Sequence, residues 1–140
     1  MIPWVEHEDD IYGHADGYLK YTGGNKILMS NLNDEYPEEA IGIQKFLEQN
    51  GYEVLHLHFN QNKKFNWAYI NFLQVGNKII IPVFDVKEDE QATNQMKEVF
   101  PYCSIHPIEM SNVAREGGAL HCLTWNIKTK KQEVIIFRFD

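Results

Sequence analysis

The sequence has few cysteines, few basic residues and no long apolar run, and each shortage excludes a class of protein. Two cysteines in 140 residues, Cys103 and Cys122, are too few for a disulfide framework. The longest apolar run spans only a few residues near 78–84, whereas a membrane-spanning helix needs about 20. Thirteen Lys and Arg against twenty Asp and Glu give a net charge of −7, which does not supply the basic patches that bind nucleic acid. A small cationic molecule therefore suits this chain better than nucleic acid or a membrane.

The sequence does contain enough apolar material for one folded domain. Hydrophobic residues make up 44% of the chain and aromatic residues 13%, which excludes disorder as the main description. Four of the first ten residues are acidic, where a signal peptide would carry basic ones, and no apolar segment follows them. We therefore expect a cytoplasmic chain.

Two stretches of the chain share one predicted order of elements, which is strand, strand, helix, strand. The assignments rest on alternating polarity for strands and on a 3.6-residue apolar period for helices. In the first stretch the predicted strands are 17–22, 26–30 and 52–59, with a helix from Glu38 that ends at Asn50-Gly51. In the second stretch the predicted strands are 67–74, 78–84 and 102–108, with a helix over 88–100. The order therefore repeats.

Shared turn residues favour a true repeat over a coincidence. The letters Asn-Lys-Ile occur at 25–27 and again at 77–79, 52 positions apart. A third copy begins with predicted strands at 120–127 and 133–139 and stops at Asp140. The chain is thus predicted to be a single α/β domain with about two and a half units, at approximately 14–59, 66–108 and 119–140. A repeat of this length is typical of a propeller-like radial array. One α+β domain with tandem hairpins is the alternative.

Three residues could together carry covalent chemistry. Cys122 follows Gly117 and Gly118, which let the backbone approach a ligand closely, although a lone cysteine is often only a small core residue. His14 and Asp16 are two positions apart, so an extended segment presents them on one face; a solvated polar turn is the alternative. Each group lies at the entry to the first strand of a copy. In a radial array such entries converge, which would bring a thiol, an imidazole and a carboxylate to one opening.

These segments resemble the agmatine deiminase and bacterial-type peptidyl-arginine deiminase family of guanidino-group-modifying enzymes. The resemblance covers nearly the whole chain and rests on GHADG at 13–17, WAYINF at 67–72, IIPVF at 80–84 and EGGALHCLT at 116–124. It implies a pseudo-five-fold α/β propeller, of which this chain would be the C-terminal part. It also implies hydrolysis of a guanidino group to a ureido group and ammonia, without a metal or an organic cofactor.

The resemblance also implies roles for particular residues. The family's nucleophile falls on Cys122, its general acid/base histidine on His14, and a guanidinium-binding carboxylate on Asp16. We further expect Gly117, Gly118 and Asn71 to contact the substrate. Family members are much longer, and no residue here matches their upstream carboxylates. The agmatine-specific branch typically has a third glycine in the cysteine loop and glutamines after the threonine. Ala119 and Trp125 replace them here, so the guanidine group is better supported than agmatine.

Other candidate residues receive simpler interpretations. His56 and His58 share a face of a predicted strand, but no second pair of ligands completes a zinc site. Cys103 is expected in the core. His121 is expected to point away from Cys122 on a strand, as a packed neighbour.

Three hypotheses about function remain open at the level of sequence. The chain is the C-terminal part of a guanidine deiminase, an inactive remnant or module that needs a separate N-terminal part, or an amidinotransferase in which an amine replaces water. The partner expected in each case is a small cationic guanidino compound, such as agmatine, free arginine or peptidyl arginine. The exposed edges of an incomplete ring would favour self-association or an N-terminal partner. We expect little or no activity from these 140 residues alone.

Overall fold

The computed structural model describes residues 15–60, 66–125 and 127, which form an α/β structure with two three-stranded sheets. In each sheet the first strand pairs antiparallel with the second, and the second pairs parallel with the third. The strands are β1 (Leu19–Gly23), β2 (Lys26–Met29) and β3 (Glu53–His56), then β4 (Leu73–Val75), β5 (Lys78–Val83) and β6 (Ser104–Glu109). The predicted strand, strand, helix, strand order is therefore present twice.

A helix joins the parallel strands in each unit. The helices are α1 (Leu32–Glu35), α2 (Pro37–Gln49), α3 (Glu88–Val99) and α4 (Ser111–Ala114), with 3-10 turns at Ala15–Gly17, Asn66–Ile70 and His121–Leu123. Within the described ranges, no helix is long and apolar enough to cross a membrane.

The predicted end of α2 at Asn50-Gly51 is confirmed. Gly51 has φ 84°, a left-handed conformation that glycine adopts without strain. Its N–H donates to Glu48 O at 3.0 Å, and the N–H of Tyr52 donates to Leu47 O at 3.1 Å. This hydrogen-bond pair is a Schellman motif, which ends the helix and turns the chain into β3.

The first sheet is covered on both faces. Met29 packs with Ile43 and Leu47 of α2 in one apolar cluster. Leu28, the neighbour of Met29 in β2, instead belongs to the larger cluster formed mainly by the second unit. Successive side chains of a strand point to opposite faces, so the first sheet lies between its own helix and the second unit.

The strand predicted over 67–74 is correct only at its end, and the strand predicted over 120–127 is wrong. Residues 66–70 form a 3-10 turn, and β4 begins only at Leu73. Residues 121–123 form another 3-10 turn where a strand was expected over 120–127, and the predicted strand at 133–139 lies outside the described residues. The two turns replace strands at the same place where the candidate residues meet.

Asp89, in the first turn of α3, joins that helix to the segment that follows β5 and to the second 3-10 turn. Its carboxylate accepts hydrogen bonds from the N–H groups of Phe84 and Val86 at 2.9 and 3.0 Å, and from Tyr69 Oη at 2.7 Å. Burial, and then the hydrogen bond to Asp89, raise the pKa of Tyr69 well above its ordinary value, so the phenol remains a donor. One side chain therefore satisfies three groups from two further segments.

Replacing Asp89 with alanine is expected to lower the free energy of unfolding by about 3 kcal/mol, because the donors lose a charged acceptor. Tyr69→Phe, which removes one of these bonds, should cost about 1 kcal/mol. The measurement is urea unfolding. Glu90→Ala is the matched control, because Glu90 is an exposed acid in the same helical turn. Equal losses for Asp89→Ala and Glu90→Ala would contradict the assigned role.

Candidate active site

Three 3-10 turns place the candidate residues beside one another. Asp16 lies in the first turn, Asn71 directly follows the second, and Cys122 lies in the third. The N–H of Asn71 donates to Ala68 O at 3.0 Å, which closes the second turn. The N–H of His121 donates to Asn71 O at 3.1 Å, which fixes the third turn against the second. Backbone hydrogen bonds therefore set the position of the cysteine.

The side chain of Asn71 connects the thiol and the carboxylate. Asn71 is buried, with 1% of its surface exposed. Its Oδ1 accepts a hydrogen bond from the Cys122 N–H at 3.2 Å, while its Nδ2 donates to Cys122 Sγ at 3.3 Å and to Asp16 Oδ2 at 3.4 Å. One amide therefore orients the backbone and the sulfur of the cysteine together with the neighbouring acid.

The thiol and the carboxylate also contact each other at an opening to solvent. Cys122 Sγ lies 3.8 Å from Asp16 Oδ2, within hydrogen-bond reach for sulfur. Cys122 is exposed, and 36% of the Asp16 side chain is accessible. A ligand can therefore reach both groups at once. His14, the third predicted member of this group, lies outside the described residues.

His121 belongs to this group too, and the expected opposite orientation is wrong. That expectation required a strand, in which neighbouring side chains alternate. In the 3-10 turn, His121 Nδ1 instead lies 3.6 Å from Asp16 Oδ2, with 41% of its side chain exposed. The histidine and the cysteine thus both reach the same carboxylate oxygen.

Lys20 is a second residue near the site that the sequence patterns did not indicate. Burial lowers its pKa from the ordinary value, while the negative charges of Asp16 and of an ionised Cys122 act in the opposite direction. The ammonium group of Lys20 is therefore an electrostatic neighbour of both residues.

Gly118 leaves the space that the cysteine side chain occupies. A Cβ atom at this position would lie 3.3 Å from Cys122 Cβ and 3.8 Å from Sγ. Gly117 has φ 88°, which side chains rarely adopt. The close approach predicted for this glycine pair is thus explained, for Gly118, by the cysteine itself.

Gly118→Ala is expected to slow the reaction of Cys122 with iodoacetamide about tenfold, because the added methyl group displaces the sulfur from its hydrogen bonds. The rate is measured by mass spectrometry of the Cys122 peptide. Gly42→Ala is the control, because a Cβ at Gly42 has no neighbour within 4 Å. This variant should leave the rate unchanged and stabilise α2 by about 0.5–1 kcal/mol. Equal rates in the two variants would contradict the steric argument.

Among the residues that the structure describes, no three His, Cys, Asp or Glu side chains are grouped to hold a metal ion. His56, considered above as a possible ligand, instead pairs its Nδ1 with Asn33 Nδ2 at 2.9 Å.

Comparison with known proteins identifies the family. The sequence profile of the Porphyromonas-type peptidyl-arginine deiminases matches residues 2–127, most of the chain. The chain belongs to this family. The resemblance found in the sequence motifs is therefore confirmed.

Three relatives show how similar known proteins are to this deiminase-family chain. A Shewanella baltica protein whose curated name proposes an agmatine deiminase is 33% identical over 64 residues, which cover 46% of this chain and 17% of that protein. C. jejuni agmatine deiminase, solved with substrate bound, has a TM-score of 0.62 at 22% identity. The match covers 81% of this chain and 36% of the C. jejuni chain. The amidinotransferase SxtG of Microseira wollei has a TM-score of 0.57 at 20% identity. The match covers 89% of this chain and 34% of the SxtG chain.

The structural comparisons establish a shared fold. The chain spans about a third of the length of each of these solved structures. The arrangement of the whole as a propeller therefore stays a prediction.

Proposed function

We propose that this chain supplies the nucleophile and one substrate-binding carboxylate for hydrolysis of a guanidino group. The observation that carries the proposal is the 3.8 Å contact between Cys122 Sγ and Asp16 Oδ2 at a solvent-accessible opening. A guanidinium is a planar cation with paired N–H donors, so a carboxylate binds and orients it. Bound to Asp16, its carbon would lie next to the sulfur.

The reaction would proceed through a covalent intermediate. The thiolate of Cys122 attacks the guanidino carbon and forms an S–C bond. A terminal C–N bond then breaks, and the nitrogen leaves as ammonia after receiving a proton from His14. Water, deprotonated by His14, attacks the same carbon, and the S–C bond breaks to restore the thiolate and release a ureido product. No redox step occurs.

Asn71 would act mainly by positioning the reacting groups. Both ends of its amide already bond to Cys122 and Asp16. Substrate contact by Asn71, Gly117 and Gly118 stays a prediction. Holding the sulfur near the attack geometry is the larger contribution, since misplacement by about 1 Å can cost a hundredfold in rate.

Complete catalysis would need residues beyond this group. The family resemblance implies further carboxylates, and no residue of this chain is assigned to them. We therefore propose that a longer chain, or a second chain, completes a pseudo-five-fold propeller around the site. Among the described residues, the outer edges of β1 and β3 have no strand partner, which would suit such an assembly.

The test is product formation from three substrates: agmatine, free arginine and a peptide with an internal arginine. Ammonia and ureido product are measured for the 140-residue chain and for the same chain expressed with its flanking gene sequence, with and without an added amine. We expect the extended form to be active. Its Cys103→Ala variant should be equally active, and its Cys122→Ala variant should be inactive. Ammonia released at the normal rate by Cys122→Ala would refute the nucleophile. An amidino-acceptor product formed only with added amine would favour transfer over hydrolysis.

A further inference from the structure

Lys20 is directed into the molecule by its register in the first sheet. It pairs with Leu28 across β1 and β2. Directly opposed residues of antiparallel strands present their side chains on the same face. Leu28 is fully buried in the larger apolar cluster, so the side chain of Lys20 also points toward the second unit. This places a cationic side chain between the two units.

The ammonium group of Lys20 is buried at a cost to stability. Among the described residues, its Nζ has no hydrogen-bond partner although the atom is inaccessible to solvent. The nitrogen lies 5.3 Å from the ring centroid of Phe72, the residue that follows Asn71. A cation over an aromatic ring recovers about 0.5–2 kcal/mol, whereas an unpaired buried charge costs more. Packing alone therefore gives no reason for a lysine here.

The charges around Cys122 do give such a reason. An ionised Cys122 would place two negative charges 3.8 Å apart, because Asp16 is its neighbour. Like charges at this distance repel, so the thiolate needs a nearby cation. His121, 3.6 Å from Asp16, faces the carboxylate as well. Phe72, whose ring lies under the ammonium group, directly follows Asn71, and the Asn71 side chain bonds to both Cys122 and Asp16. Burial lowers the pKa of Lys20, whereas the negative charges of Asp16 and of an ionised Cys122 act in the opposite direction.

We propose that Lys20 is a positioning residue that balances the negative charge of Cys122 beside Asp16 until a guanidinium arrives. The role rests on the proposed deiminase function and deepens it. In the free protein the ammonium group stabilises the reactive thiolate. When a guanidino cation binds to Asp16, the substrate takes over that charge balance.

The test measures thiol reactivity and stability in the intact chain, neither of which requires turnover. Iodoacetamide is uncharged, so its rate at Cys122 reports the thiolate and not attraction of the reagent. Lys20→Met keeps the side-chain length and removes the charge, whereas Lys20→Arg keeps the charge. At neutral pH we expect Cys122 to react about tenfold more slowly in Lys20→Met and at nearly the original rate in Lys20→Arg. We also expect Lys20→Met to unfold at a higher urea concentration, because the unpaired charge is gone.

Three results would overturn the proposal. An unchanged Cys122 rate in Lys20→Met would show that the ammonium does not support the thiolate. An equal loss in Lys20→Arg would show that side-chain shape and not charge matters. A lower urea midpoint for Lys20→Met would make Lys20 a structural residue. If the deiminase assay gave no ureido product but Cys122 still reacted tenfold more slowly in Lys20→Met, the proposed function would be refuted. The coupling between the lysine and the thiolate would still hold.

Discussion

Asn71→Ala is expected to lower the rate of ureido product formation about a hundredfold or more. The substitution removes the acceptor for the Cys122 N–H and the donor to Sγ and to Asp16 Oδ2. Because the sulfur and the carboxylate then lose their common orientation, the loss should appear mainly in kcat. The measurement is steady-state ureido product formation in the active form of the protein.

Folding must be separated from chemistry in that experiment, since Asn71 is buried. Urea unfolding of each variant makes this separation. Asn71→Asp is the matched comparison, because it keeps the shape and one acceptor oxygen but replaces the donor with a negative charge. It should be as inactive as Asn71→Ala. Activity within threefold of the unmodified protein in either folded variant would contradict the positioning role.

Asp16→Asn is expected to lower kcat/KM for guanidino substrates by about a hundredfold to a thousandfold. The isosteric change keeps the hydrogen-bond geometry of the first 3-10 turn but removes the negative charge that pairs with the guanidinium. Much of the loss should appear as a higher KM, because the carboxylate contacts the substrate before and during attack.

The control for this change is Asp85→Asn. Asp85 is exposed and has φ 57°, a left-handed conformation that asparagine tolerates well. This variant should retain full activity. If both asparagine variants lost activity equally, or if neither did, Asp16 would not be the substrate carboxylate.

The regular elements could be predicted from the sequence because their patterns are local. The apolar spacing of α2 and its Asn50-Gly51 end correspond to the helix that forms. The alternation and shared turn letters of both hairpins likewise correspond to β1–β2 and β5. In these places propensity and packing favour the same structure.

The site was predicted less well, because its geometry depends on contacts between distant segments. The alternating residues Trp67, Tyr69 and Asn71 imitate a strand, yet the backbone over 66–70 turns so that Asn71 reaches Cys122, 51 positions away. Lys20 occupies a polar position in an alternating strand, and such a position ordinarily faces water. It is buried because the second unit covers that face of the sheet. No local pattern indicates such coverage.

The predicted orientation of His121 was wrong for the same reason. Residues 120–127 have the composition of a strand, but hydrogen bonds from His121 and Cys122 to Asn71 hold residues 121–123 in a 3-10 turn. Convergence of Asp16 with Cys122 followed from the repeat, which is a long-range pattern visible in the sequence. His14, expected at the same opening, lies outside the described residues.

The central claim is that Asp16 holds a planar cation against the sulfur of Cys122, and a pair of electrophiles tests it most directly. Chloroacetamidine carries a guanidinium-like cation, and chloroacetamide is its neutral isostere. Both are applied to the unmodified chain, and the alkylation rates of Cys122 and Cys103 are followed by peptide mass spectrometry. For each cysteine, the rate with chloroacetamidine is divided by the rate with chloroacetamide. We expect this ratio to be about tenfold or more higher at Cys122 than at Cys103. Equal ratios at the two cysteines would contradict the claim.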